Sequence, residues 1–294
     1  MEFLPTWVWL SLIVSFSSAG WKLVNEYFKV DSHALVFWRG FLPFIFMLPF
    51  TFFIPWPTDY IFYVLVLMVA LIGTFTDVVY LDASKKYGAG VPSRLQPLGL
   101  FIGFIGWIII DTSQIDVYMA QPIYATGVVL SLCSIVFFAS RLRHCEVSKN
   151  ALIFMLPAIF FGGFFGVLIK TAMQHAELYQ GIVFYILVQG IGITIFTLIK
   201  EKFKKRKLKR ILQKDVMKAG FFIGVFGVIS GSCGSYAFHL AENPAYSSAI
   251  TMLSPFWIII LYKIISRKEN GVDVLSGVFL VLSVISLVLF KGML

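Results

Sequence analysis

Residues 33–46 read HALVFWRGFLPFIF, and Arg39 is the sole charge from Ala34 to Ile54. An arginine at the centre of a membrane helix is unfavourable by roughly 2.5–3.5 kcal/mol on insertion scales. Such a charge must face a partner or water inside a protein bundle rather than lipid. The stretch therefore reads as a membrane span with something polar to turn toward.

The rest of the chain agrees. Its 294 residues are 59% hydrophobic and 13% charged, about half the charge of an ordinary soluble domain. Uncharged runs recur at 3–21, 61–76, 95–110, 117–140, 151–169, 182–199, 219–238, 243–262 and 274–290. With the span around Arg39 this predicts ten helices, each near the length that crosses a hydrocarbon core of about 30 Å. Strand-like alternation is absent, so the fold class is all-α integral membrane. The first run lacks a basic leader and carries Lys22 and Glu26 where a cleavage site would lie, so it reads as helix one. Cys133, Cys145 and Cys233 match no disulfide framework or metal motif.

The net charge of +9 is concentrated in 200–218, KEKFKKRKLKRILQKDVMK, which holds ten Lys or Arg. Between two spans this is a cytoplasmic loop under the positive-inside rule, and no nucleic-acid partner is expected. Lys29; Lys85 and Lys86; Arg141, Arg143 and Lys149; and Lys263, Arg267 and Lys268 follow other odd-numbered spans. With ten helices, both termini lie outside.

An internal repeat organises the chain. LDASKKYGAGVPSRLQP (81–97) parallels HLAENPAYSSAITMLSP (239–255), matching Ala83 to Ala241, Leu95 to Leu253 and Pro97 to Pro255. AGWKLV sets Lys22 opposite the Lys170 of VLIKTA, and WRGF sets Arg39 opposite the Gln189 of VQGI. The unit is five helices, 1–145 and 146–294, and an odd number inverts the second copy. Inverted repeats of this kind build secondary transporters with a midplane site.

ALVFWRGFLPFIF resembles the second helix of EamA-type members of the drug/metabolite transporter superfamily. YLDASKKYGAGVPSRLQPLGLFIGFIGW is similar to that family's helix 3, turn and helix 4, and SSAGWKLV resembles its first helix. The resemblance implies a ten-helix carrier of metabolites in a bacterial cytoplasmic (inner) membrane. The chain departs from it after helix 4, which reads IIIDTSQID, and in having no acidic residue in mid-helix one.

The ionisable residues within or near spans are the candidate substrate-binding groups: Lys22, Arg39, Asp77, Arg94, Lys170 and His239, with Trp38 and Tyr80 as flat apolar surfaces. Each has a plain alternative in snorkelling, belt or core packing. Arg39 and Asp77 have no partner on their own helices, and the expected arrangement is an Arg–Asp brace between helices 2 and 3. Lys22 and Lys170, equivalent in the repeat, are expected to face one cavity, which then favours an anionic or zwitterionic solute such as an amino acid or nucleotide-like metabolite. Pro97 and Pro255 are expected flex points. Helices 5 and 10, without ionisable residues inside 117–140 and 274–290, are expected at the periphery.

The glycines at 220, 224, 227, 231 and 234 form a small-residue ladder for close helix contact. Enzyme motifs are missing: His33, His144, His175 and His239 show no HExxH spacing, and SGSCGS is not GxSxG. No Walker-type loop is present, and neither cofactor nor metal is expected. The expected partners are the small-molecule substrate and the lipid bilayer, and the chain is expected to act as a monomer, with a dimer as the alternative. The competing function is a carrier or flippase for a lipid- or polyprenol-phosphate, or a membrane enzyme acting on such a lipid.

Overall fold

The computed structural model describes residues 5–87, 90–142, 148–203, 210–264 and 273–294, with the helical side chains of residues 25, 26, 84, 85, 90, 93 and 94 outside the description. Glu26, Lys85, Arg94, Arg143, Cys145, Arg267, Lys268 and 204–209 of the basic run accordingly lie outside the described side chains.

The chain is all-helical over the described residues, and it is a multi-pass membrane protein. In order come α1 (Thr6–Phe28), α2 (Ser32–Met47), α3 (Tyr60–Tyr87), α4 (Gly90–Leu95), α5 (Gly99–Ile110), α6 (Ser113–Ala120) and α7 (Pro122–Arg141). They are followed by α8 (Lys149–Gly163), α9 (Phe165–Gln174), α10 (Leu178–Phe203), α11 (Lys214–Leu240), α12 (Pro244–Thr251), α13 (Ser254–Ile264) and α14 (Val274–Gly292). Among the described residues nine spans are long and apolar enough to cross a membrane, several of them made of two helices in series. The stretches Gln96–Ile110 and Ser113–Ala120 qualify only together, and they are bent by 105°.

Local chemistry sets these boundaries. Asp31 Oδ1 accepts from the backbone N–H of His33 and Ala34, starting α2. Ser148, Asn243 and Asp273 cap α8, α12 and α14 in the same way. Pro122 opens α7, so the expected continuous helix over 117–140 is instead broken after Gln121. A proline has no N–H to donate and is tolerated best in a first turn. Pro97 sits in a short 3₁₀ turn (Gln96–Leu98) between α4 and α5, and Pro255 lies in the first turn of α13. Both expected flex points therefore fall at interruptions of the helix ladder.

With lipid outside, helix association depends on close packing more than on apolar burial. The helix α2 lies between α10 and α11, and α1 lies against α11, α12 and α13. On the other flank α3 packs on α8, α9 and α10, while α7 and α14 pair with each other. The glycine ladder serves these contacts, since Gly220, Gly224 and Gly227 seat Trp38, Leu42 and Pro43 of α2. The helix α11 runs unbroken through Gly231 and Gly234.

Contacts mark two ends of the bundle. At the end carrying the basic loops, buried His33 and Glu201 pair at 3.7 Å, and the Asp273 N–H donates to Leu142 O at 3.1 Å. At the far end, His175 Nδ1 and Asp59 Oδ2 are 2.7 Å apart. There Gln114 Nε2 donates to Glu242 O at 2.9 Å, and Lys291 Nζ donates to Glu242 Oε1 at 2.8 Å.

Candidate functional site

Between the helices lies a cavity of about 910 Å³. Small-molecule sites run to roughly 300–1,000 Å³, so this one holds a metabolite-sized solute. Its wall includes Lys22, Arg39, Asp77, Tyr80, Pro97 and Pro255 from the residues the sequence singles out.

Arg39 and Asp77 form an ion pair through Nη1 and Oδ2 across the contact of α2 with α3, the arrangement expected for two charges set in long apolar stretches. Their side chains are 24% and 12% exposed, and both line the cavity. The guanidinium also stands 5.8 Å from the centre of the Trp21 ring. Lys22 Nζ donates to Ser254 Oγ at 2.8 Å, tying α1 to the start of α13. The Tyr80 hydroxyl donates to Ala158 O at 3.2 Å, so its ring is anchored on the wall.

Three expectations change. Lys170 is absent from the cavity wall. Its ammonium donates to Ala241 O at 2.5 Å, His239 O at 3.3 Å and Phe238 O at 3.5 Å, and it lies 5.0 Å from the Trp107 ring centre. It closes the carbonyl end of α11, where a cation is favoured by both the unpaired C=O groups and the helix dipole. His239 belongs to that end as well, and its Nδ1 has no partner among the described residues. Trp38, next to Arg39, is turned about 100° around α2. Its Nε1 donates to Ile211 O at 3.0 Å, so it serves the helix contact and not the cavity. The backbone of Arg94 belongs to α4, and its side chain lies outside the described residues.

Helix α14 contributes nothing to the described wall, but α7 contributes Ala139. The expected exclusion of the fifth span is thus incomplete. The short α4 and the 3₁₀ turn after it pack on α7 and leave this one small residue facing inward.

The wall also holds residues passed over in the sequence, including Tyr185 and Gln189, one turn apart on α10, and Ser230 and Ser235 on α11. Gln189 was visible as the repeat partner of Arg39. Tyr185 carried no signal in an apolar run. Lys29, exposed in the turn after α1 with φ of 48°, brings the cavity to the basic end of the bundle. The described wall therefore carries three basic residues, Lys22, Lys29 and Arg39, against one acid, Asp77.

The far end carries a buried polar network. Asn243 Nδ2 donates to Gln114 Oε1 at 3.2 Å, and the hydroxyls of Tyr118 and Tyr246 share a hydrogen bond. At the same end of the bundle, Asp59 caps the start of α3, accepting from Ile61 N at 2.9 Å. That backbone bond, followed by the bond with His175, holds the Asp59 carboxyl below the usual carboxylate range. Among the described residues, no group of three or more His, Cys, Asp or Glu is placed to hold a metal.

No family model and no curated protein matches the chain. Among solved structures it is similar to one described as "Crystal structure of protein", at 12% identity and a TM-score of 0.46, over 99% of this chain and 90% of that chain.

Proposed function

We propose that this protein is a secondary carrier for a small anionic or zwitterionic metabolite, working by alternating access. The observation that carries the reading is the metabolite-sized cavity with three cations against one acid on its described wall. A cavity of one sign in a low-dielectric surround concentrates solutes of the opposite sign. It reaches the basic end at Lys29 while hydrogen bonds tie the far end together, as one half of an alternating cycle requires.

The same reading takes the chain as an EamA-type member of the drug/metabolite transporter superfamily, with ten spans in two inverted repeats, 1–145 and 146–294. Contacts support the repeat. A Cβ added at Gly234 would lie 3.6 Å from Val14, and one added at Gly162 would lie 4.0 Å from Thr76. At sequence offsets of 148 and 158 these are the same contact made twice, between span 1 and span 8 and between span 6 and span 3. The basic end faces the cytoplasm in this reading, in a bacterial inner membrane.

Counterflow in proteoliposomes tests it. Vesicles loaded with an unlabelled amino acid, nucleotide or sugar phosphate should accumulate the same labelled solute for at least one of these, and vesicles loaded with organic cations, run alongside, should not. Accumulation confined to organic cations would overturn the charge assignment, and none with any solute would overturn the carrier reading.

A further inference from the structure

The cavity contains a charge pair that an anionic solute has to disturb. Arg39 is the cation closest to the middle of its span on the wall, and its partner is the Asp77 carboxylate. An anion that takes Arg39 as its own partner competes with that carboxylate. Among the described residues Arg39 alone forms an ion pair with Asp77. Tyr185 of α10 shares the cavity wall with it, and Tyr80 follows one turn later on its own helix. The α8 and α9 parts of the wall carry no charge, since Lys170 is turned to the end of α11. Lys22 of α1 shares the cavity and is bonded to Ser254, while Arg94 of α4 lies outside the described side chains.

A carboxylate stripped of its cation in a low dielectric is far costlier than the neutral acid. Resting on the carrier reading, we propose that Asp77 is a proton site linked to occupancy of the cavity. As an anion replaces Asp77 on Arg39, the carboxylate takes one proton from the water at the open end. The donor is a hydronium ion of that water, so one O–H bond breaks there as one forms on Asp77, a water molecule is left behind, and the cavity gains one proton with each anion. The transported species is then an anion together with a proton.

Sulfate is a suitable probe, because it keeps both charges near neutral pH and brings no proton of its own. Calorimetry on the purified full chain, in buffers of different ionisation enthalpy, counts protons absorbed per sulfate bound. The wild type should absorb about one, and its affinity should weaken by up to about tenfold for each unit that the pH rises, because binding takes up a proton. A protonated-carboxyl band should appear in the infrared difference spectrum on sulfate addition. Asp77→Asn should bind sulfate with neither uptake nor band. Uptake or the band surviving in Asp77→Asn overturns the proposal; if that variant does not fold, Asp77→Glu serves in its place, and a carboxyl band left unshifted by the changed side chain overturns it. Sulfate bound by the wild type without a proton overturns the linkage and leaves the anion cavity standing. A wild type that binds no sulfate overturns the anion cavity and the linkage with it.

Discussion

Gly40 of α2 and Gly190 of α10 touch reciprocally: a Cβ added to either would lie 2.7 Å from the carbonyl oxygen of the other. Both carbonyls are rigid helix backbone, so a methyl group on either glycine forces the two helices apart. Overpacking of this kind costs about 1–3 kcal/mol. Gly40→Ala and Gly190→Ala should each lower the unfolding temperature in detergent. Gly292→Ala, which meets nothing within 4 Å, should leave it unchanged. Equal melting of all three would mean that this contact is looser than the structure has it.

The Arg39–Asp77 pair should behave as a brace in a double-mutant cycle. Arg39→Gln and Asp77→Asn alone each leave one charge unmatched, and the double variant should recover part of the loss. The penalty should fall below the roughly 3–5 kcal/mol of a fully buried pair, because the side chains are 24% and 12% exposed. Chemical or thermal unfolding of the four proteins measures it, and strictly additive losses would count against the brace.

Lys170 and Lys22 should separate into a stability residue and a transport residue. Lys170→Met keeps the stem and removes the donor to three carbonyls at the end of α11. Losing such charge-assisted bonds should cost about 2 kcal/mol. Lys22→Met should leave folding nearly intact and reduce solute affinity, since Lys22 is on the cavity wall. Melting curves and binding on the same preparations distinguish the two, and a reversed pattern would exchange the roles.

Asp59 predicts an acid-sensitive contribution at the far end. Its folded carboxyl lies below the usual range because Ile61 N–H and then His175 bond its ionised form. The stabilisation is therefore complete above the unfolded value of about 3.9 and is lost as pH falls through the lower folded value. The stability difference between wild type and Asp59→Asn should hold at neutral pH and shrink below about pH 4. A difference independent of pH would assign the effect to shape rather than charge.

Pro97 and Pro255 stand at interruptions between helices. Restoring an N–H at either should stiffen the join, so Pro97→Ala and Pro255→Ala should change transport rate more than affinity. Initial-rate uptake set against equilibrium binding checks this, and unchanged rates in both would discard the flex points.

Much of the molecule was legible from residue order alone. Spans follow from apolar length, the basic end from the Lys and Arg of 200–218, and the need for an Arg39 partner from the cost of a lone charge in hydrocarbon. These are local properties, and they do not depend on how the helices are rotated. Which face each helix presents does depend on it. The neighbours Trp38 and Arg39 were equal candidates until the seating of Trp38 against Gly220 turned Arg39 and Pro43 inward. Lys22 and Lys170 were equivalent by repeat until the carbonyls of Phe238, His239 and Ala241 came within reach of Lys170 alone. A repeat specifies two similar chains, but the same ammonium meets a cavity at one end of the bundle and a helix terminus at the other. Only the packed structure decides which, because the partner comes from 68 or more residues away along the chain.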